Sequence, residues 1–575
     1  MVTNDLNKII AGIGFMSIDE FLMKFALPVV GMITLFSISS RFLFSDLPPF
    51  FSYIIFIFGV LFVIIYPWAM FQKKKVNINE NLHLMITYAG TLSTVDIQRN
   101  ILFKRLSDSK RFGEISNMTE KILYLAKSWN LGFSQASRKI ALNSPSDIFA
   151  DFLDRFAVMM DFGQNLKIFL QDEQDAVMDD FASEYKKSLE SIRLLQEVFV
   201  SLTIAIAFTM ATALLLPVIA GMSIDFVVQF SLGAIVFIDI GLYFIVKSFV
   251  PKDRLCNSLP IKDKSTKSVV RNFYIYSPIS LILTLSLLYI DVLPFLFNFA
   301  IGLSPLMIVG VYAQRHESLI YARDLAFPSF IRSLGSVVEV KLGAVVSSLR
   351  SLQVHDFGVL NEIVVGLYRR LRLGNDKFKC WLYFAAESGS NLITNFSQIF
   401  AESVYLGGNA EKVGELVSKN FSRLISLRKL RLQLASSVRG AFYGSLVGFA
   451  AASYLSAKIT EMLAVIFSSP MAGLTDGTAG DAYMAEVVSS IAPVSTMEIN
   501  FLQISIYIGI MIIIHSIISS LIIKIVDGGN YYAALFDFII MLWIGAFISW
   551  LLPSLIDSMM PDLTENLSNG TIPDD

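Results

Sequence analysis

The chain has 575 residues, of which 54% are hydrophobic and only 16% charged, with a mean hydropathy of +0.61 and a formal net charge of −2. A soluble globular domain carries nearer a quarter of its residues as charges, so this composition excludes an ordinary soluble enzyme and points to a membrane protein. The small net charge is uninformative by itself because the charges are segregated: Lys and Arg crowd 71–195, 247–271 and 314–439 and are absent from 459–523 and from 525 to the end.

In chain order, Met1–Lys24 carries Asp5, Lys8, Asp19, Glu20 and Lys24 among apolar residues. It lacks a basic start and a small-residue cleavage site, so it reads as an interfacial amphipathic helix rather than a removable signal. Apolar runs long enough to span a bilayer follow at about 25–43, 48–70, 198–219, 226–249, 273–290, 293–313, 440–467, 501–525 and 532–552, nine in all. Lys73, Lys74 and Lys75 directly follow the second run. By the positive-inside rule that end faces the cytoplasm, and so does the N-terminus. The 468–500 loop holds Asp476, Asp481 and Glu486 with no Lys or Arg, and is expected outside. The odd span count then puts the C-terminus outside, where the tail carries Asp557, Asp562, Glu565, Asp574 and Asp575 and two glycosylation sequons at Asn566 and Asn569.

The expected layout is therefore 1–70, an amphipathic helix and transmembrane hairpin; 71–197, a first cytoplasmic helical domain; and 198–313, four spans around a basic loop at 250–272. Residues 314–439 form a second cytoplasmic helical domain, 440–552 three spans with the external loop, and 553–575 an external acidic tail. Cys256 and Cys380 both fall on the cytoplasmic side, far apart in sequence, and read as free thiols.

Both cytoplasmic segments are helical by pattern, with no sustained alternation of the kind a strand requires. Ser144 and Ser146 flank Pro145, a good helix start, and Ile148, Phe149, Phe152, Leu153, Phe156, Ala157 and Met160 then recur at helical spacing. Gly163 ends that helix. The next apolar period runs without Gly or Pro from about Gln164 to Leu216, just before Pro217. One helix of that length would be roughly 80 Å long. The second segment repeats the layout. Ser146-Asp147-Ile148-Phe149-Ala150-Asp151 is answered by Ser397-Gln398-Ile399-Phe400-Ala401-Glu402, Gly163 by Gly407 and Gly408, and Phe112-Gly113 by Phe357-Gly358.

Several of these runs carry a family resemblance. Asn81-Leu82-His83-Leu84-Met85-Ile86-Thr87-Tyr88-Ala89-Gly90-Thr91-Leu92-Ser93-Thr94, Trp129-Asn130-Leu131-Gly132-Phe133, Ser144 to Arg155, Glu173-Gln174 and Val177-Met178-Asp179 resemble the type II secretion F-domain family in its archaeal form. Within it they look like the platforms of archaellum assembly, whose motifs adhesive-pilus platforms share. The likeness is strong over about 76–220, moderate over 320–450 and topological elsewhere, and it departs from the family's frequent Gly-Glu at Gly163-Gln164. The resemblance implies a non-catalytic membrane platform and homo-oligomer, expected as a dimer. Such platforms bind a cytoplasmic hexameric assembly ATPase, contact membrane lipid and help insert pilin-like subunits into a filament. The fold class expected is all-α: a polytopic membrane protein of about nine transmembrane helices with two duplicated cytoplasmic helical-bundle domains.

Catalytic chemistry finds no support in the residues. No Gly-Lys dipeptide occurs, hence no Walker A phosphate cradle. His83, His316, His355 and His515 are isolated from one another and from Cys, so no metal site or cofactor is expected. Asp151, Asp154 and Asp161 lie opposite the apolar stripe, on a solvated face.

The charge pattern suggests partner surfaces instead. Residues 71–140 hold twelve Lys and Arg against five Asp and Glu, and 141–195 five against eleven, with acids at Asp172, Glu173, Asp175, Asp179 and Asp180. Residues 314–439 hold seventeen against ten, with basic clusters at Arg369, Arg370 and Arg372 and at Lys419, Arg423, Arg428, Lys429 and Arg431. Positive-inside bias and attraction to anionic lipid account for part of this. Electrostatic docking of a soluble partner is the functional alternative. On the family resemblance that partner is the ATPase, met by Arg369, Arg370, Arg372, Arg423, Arg428 and Arg431 with Asp172, Glu173 and Asp179. Nucleic acid is not an expected partner, since no aromatic pattern interleaves the basic residues.

Asp239, Lys458, Glu461 and Asp537 lie within expected spans, where ionisable groups need partners or water. Lys458 and Glu461, three apart, can pair on one helix face. A secondary transporter would use such residues as an ion path. The duplication lies in the cytoplasmic segments, however, whereas transporters duplicate their span bundles, which favours the platform.

Overall fold

A computed structural model describes residues 18–21, 23, 26–32, 34, 50–95, 97–220, 224–261, 264–290, 293–474 and 501–559. After a short turn at Ile18–Phe21, the helices in chain order are α1 (Phe50–Leu92), α2 (Arg99–Asp108), α3 (Glu114–Ser128), α4 (Gly132–Leu142), α5 (Asp147–Asp161) and α6 (Leu166–Ala220). They continue with α7 (Ile224–Phe249), α8 (Lys264–Ile290), α9 (Phe295–Leu303), α10 (Pro305–Val340), α11 (Val345–Leu352) and α12 (Asn361–Arg372). The last are α13 (Lys377–Ser388), α14 (Asn391–Tyr405), α15 (Ala410–Leu474), α16 (Phe501–Asp527) and α17 (Ala534–Met559). Among the described residues there is no strand, only an isolated antiparallel bridge between Cys256 and Ser390. The all-α class expected from the periodicity is what forms. The long helix expected from Gln164 is α6, which continues through Pro217 to Ala220.

The chain divides into two compact units. The first gathers residues 1–185, 324–385 and 392–424; the second gathers 186–323, 386–391 and 425–575.

The first unit is built around the C-terminal part of α1, whose residues 82–92 are buried on every side. Apart from His83, the sequence from Leu82 to Leu92 is apolar, aromatic or small all round, as suits a central helix. Phe112, Phe149, Phe156, Phe327, Phe330, Phe384, Phe396 and Phe400 are fully buried in this unit. Ring pairs such as Phe327–Phe421 at 4.7 Å and Phe103–Phe156 at 5.3 Å add aromatic packing to the area buried. Polar pairs stitch the two sequence copies into one body. Ser403 donates to Thr91 Oγ1 at 2.8 Å and Asn420 to Thr87 Oγ1 at 2.8 Å, and Arg111 pairs with Glu402 while lying 5.1 Å over the Tyr88 ring.

The repeat is real at its turns and breaks at its helix starts. Gly113 and Gly358 both take a positive φ, +57° and +59°, each after a buried Phe. Both α5 and α14 have fifteen residues. Yet Ser146 caps the start of α5, its hydroxyl accepting from the Phe149 N–H, whereas its sequence counterpart Ser397 is buried in the middle of α14. The cause is local. Pro145 disfavours helical backbone in the residue before it, while nothing in Asn391–Phe396 stops the helix from starting earlier.

The second unit packs a core of Met210, Leu214, Ile235, Leu296, Phe449, Tyr454, Ile508, Met511, Ile512 and Leu542. Its other face is apolar too: Phe208, Phe237, Phe244, Leu281, Ile282 and Tyr289 are all exposed. An apolar surface of that extent has no business in water and fits lipid. Five described helices are long and apolar enough to cross a membrane: Leu166–Thr212, Ser231–Phe249, Ser265–Ile290, Leu502–Asp527 and Tyr531–Met559. The pair α9 and α10, bent by 47°, supplies a sixth if it is one broken span. Against the nine spans expected, the described residues thus hold five, or six with the bent pair. Most of the expected span 25–43, most of the loop 468–500 and most of the tail 553–575 lie outside them, as do most side chains of 48–70. The expected span 440–467 lies in α15, whose side chains are described only as far as 463, and is not one of these five. Its Phe442, Leu446, Phe449, Ala450, Tyr454 and Ala457 are buried inside the unit.

Candidate partner-binding surface and buried ionic network

The residues expected to meet a partner separate into three kinds of place. Arg369, Arg370 and Arg372 form the last turn of α12, which Leu373 and Gly374 close by donating to the Arg369 and Leu371 carbonyls. Cations there complement the negative end of the helix dipole. Arg369 and Arg372 are exposed, and Arg370 lies 5.4 Å over the Tyr383 ring. The helix's apolar residues Ile363, Val364, Leu367 and Leu371 are buried, so the fold holds the arginines on a fixed scaffold.

A second group is internally paired within the first unit. Arg423 meets Asp175 at 3.0 Å and Asp179 at 3.4 Å, and Lys419 meets Asp175 at 2.8 Å. Glu173 is buried and takes two hydrogen bonds from Arg155, at 2.7 and 2.8 Å, which hold that guanidinium's pKa above its ordinary value. Asp172 is exposed.

The third group, Arg428 and Arg431, lies inside the second unit, buried to within 5% of full enclosure. Arg428 grips Asp253 through two hydrogen bonds of 2.5 Å and donates to the Arg254 carbonyl. Arg431 donates to four backbone carbonyls, those of Pro251, Asp253, Ile525 and Val526. Two of these are the orphan carbonyls at the end of α16. Gly528 ends that helix at φ +86°, and a Cβ on it would stand 2.6 Å from the Arg431 guanidinium carbon. Lys524 beside it bridges Glu317 and Asp527, at 2.6 Å each. Asp253, Glu317, Arg428, Arg431 and Asp527 line a cavity of about 200 Å³ with Gln314, Ser318 and Tyr321. Burial at this depth corrects the expectation that Arg428 and Arg431 face a soluble partner; they are structural ties.

The charges within spans all have partners. Asp239 meets His515 Nδ1 at 3.0 Å, and Phe199 stacks on that imidazole. Asp537 accepts from Arg439 at 2.8 Å and from Tyr443 at 2.6 Å. Lys458 pairs with Glu461, as the three-residue spacing suggests, and also with Asp557, both at 2.9 Å. Sequence reasoning missed Glu317, Lys524 and Asp253 as members of a network, since their partners lie far along the chain, Lys524 being 207 residues from Glu317. Among the described residues no group of His, Cys, Asp and Glu could hold a metal ion.

Helical units of this kind, with apolar spans and buried ion pairs, define a polytopic all-α membrane protein. Residues 85–214 match the family of type II secretion system protein F. Over almost its whole length the chain is also similar to curated proteins named flagella accessory protein J. One, from Methanocaldococcus jannaschii, is 33% identical over 94% of this chain and 96% of its own; another, from Methanococcus voltae, is 32% identical over 96% and 97%. The chain belongs to the flagella accessory protein J family. No solved structure matches it.

Proposed function

We propose that this chain is the membrane platform of archaellum assembly, that it docks a cytoplasmic hexameric ATPase, and that it couples the motion of that ATPase to insertion of filament subunits. The observation that carries the docking is the basic end of α12. Three arginines there are positioned by a buried helix face, and Arg369 and Arg372 are exposed with no carboxylate partner among the described residues. Such a cluster raises the on-rate for an acidic surface and sets its orientation. The platform itself turns over no nucleotide, which the missing phosphate loop supports. The basic segments 71–195 and 314–439 face the cytoplasm and the C-terminus faces outward, in keeping with the positive-inside rule.

The test is charge reversal of Arg369, Arg370 and Arg372 to Glu in the full-length protein in nanodiscs. Association with the purified ATPase should slow, and its salt dependence should flatten. Membrane insertion should be intact. The same reversal at Lys73, Lys74 and Lys75 should instead disturb topology or lipid contact. Unchanged ATPase binding by the Arg variant, with loss in the Lys variant, would place the docking surface elsewhere.

A further inference from the structure

Leu342 is a residue the fold of the free protein does not need. It follows the end of α10 with φ +52°, in the left-handed region that side chains other than Gly and Asn rarely adopt. Its N–H donates to the Glu339 carbonyl and Gly343 N–H to that of Val338, so the turn holds that conformation firmly. No burial compensates for the strain, since the Leu342 side chain is 96% exposed. Glycine or asparagine would make the same turn more comfortably. Strain kept in an exposed apolar residue points to use outside the chain.

Its surroundings have a consistent character. Val340 and Val354 are 82% and 90% exposed, and Val346 is also exposed, so the turn and α11 together present several aliphatic groups. The charged side chains within this stretch of sequence, Lys341 and Arg350, are both basic. Lys341 bonds the Ser347 carbonyl and the Ser351 hydroxyl, which folds the turn against α11, and Arg350 and His355 are exposed. Between Val340 and His355 there is no Asp or Glu. The flanking acids are turned to internal work: Glu339 accepts from Asn409 and from the Ala410 N–H, and Asp356 accepts from the Gly358 N–H and Asn361.

We infer that the Leu342 turn is an aliphatic knob with a basic rim that seats in an apolar, acid-rimmed pocket of a soluble protein. On the platform reading above, on which the partner's identity rests, that protein is the assembly ATPase. A lipid surface fits less well. Lipid is fluid and asks no particular backbone geometry of a residue that enters it, and the patch lacks the Trp and Tyr that favour interfaces. A shaped pocket is what a strained, fixed conformation serves.

The test exploits an unusual combination of signs. Leu342→Asn removes both the strain and the apolar group, so the variant in nanodiscs should melt no lower than wild type, while its affinity for the purified ATPase falls roughly tenfold, as for a binding hot spot. Leu342→Gly should behave alike. Wild-type affinity in either variant overturns the inference while leaving the platform reading intact. If the wild type itself fails to bind the ATPase, both fall. A loss seen only in nanodiscs of anionic lipid, and absent in zwitterionic ones, would mean the knob sits in lipid, and would also overturn it.

Discussion

Arg428 and Arg431, three residues apart on one helix, have unlike tasks. Arg428 neutralises a carboxylate, whereas Arg431 binds only carbonyl oxygens and so acts through the geometry of its planar fork. Arg431→Lys should therefore destabilise the protein by about 1–3 kcal/mol although the charge is kept, because an ammonium cannot reach all four carbonyls. Thermal unfolding in detergent reads this, and an unchanged melting temperature would show that the fork is dispensable. Gly528→Ala should act in the same direction, since its new methyl meets the guanidinium and its left-handed backbone disfavours Ala. The two thiols should differ as well. Cys380 is buried and its thiol pKa is pushed up by that burial, so little thiolate forms near neutral pH, whereas Cys256 is partly exposed. Maleimide should label Cys256 first, and Cys380 should react only as pH rises or the protein unfolds. The sequence shows that basic residues cluster at 419–431, but which of them are surface and which are ties depends on Asp253 and Ile525, far along the chain.

At the scale of elements, the helices were legible and their roles less so. The periodicity of Ile148 to Met160 and the start at Ser146 predict α5 almost to the residue. The repeat fails at Ser397 because a six-residue likeness reports side chains suited to similar packing, not where a helix begins. The expected span 440–467 lies in α15, where Phe442, Leu446 and Tyr454 are buried inside the unit and the glycines and serines between them suit close helix packing. The C-terminal part of α1 joins the two copies through Thr87 and Thr91. Replacing both by Val keeps the shape but strands the Asn420 amide and the Ser403 hydroxyl in the core. The cost should be about 1–3 kcal/mol for each group left unsatisfied. Proteolysis of the first unit measures this, and wild-type resistance would show that these bonds are not needed to hold the copies together.

For the whole molecule, composition and charge segregation suffice to announce a multi-pass membrane protein, and the apolar exposed faces of the second unit agree. Orientation rests on the positive-inside rule. A label placed near Asn569 should be accessible from outside and one near Lys110 only from the cytoplasm; a cytoplasmic tail would mean the count of crossings is off by one. The division into two units was not legible, because the first is assembled from segments more than a hundred residues apart. The central claim is that this chain supplies a platform to a separate motor and is no motor itself. Nucleotide hydrolysis by the purified chain in nanodiscs, with and without the partner ATPase, tests it most directly. The chain alone should show no turnover, and adding it should raise the rate of the ATPase, less so with Arg369, Arg370 and Arg372 reversed. Turnover by the chain alone at rates typical of motor ATPases, or no effect on the partner's rate, would contradict the account.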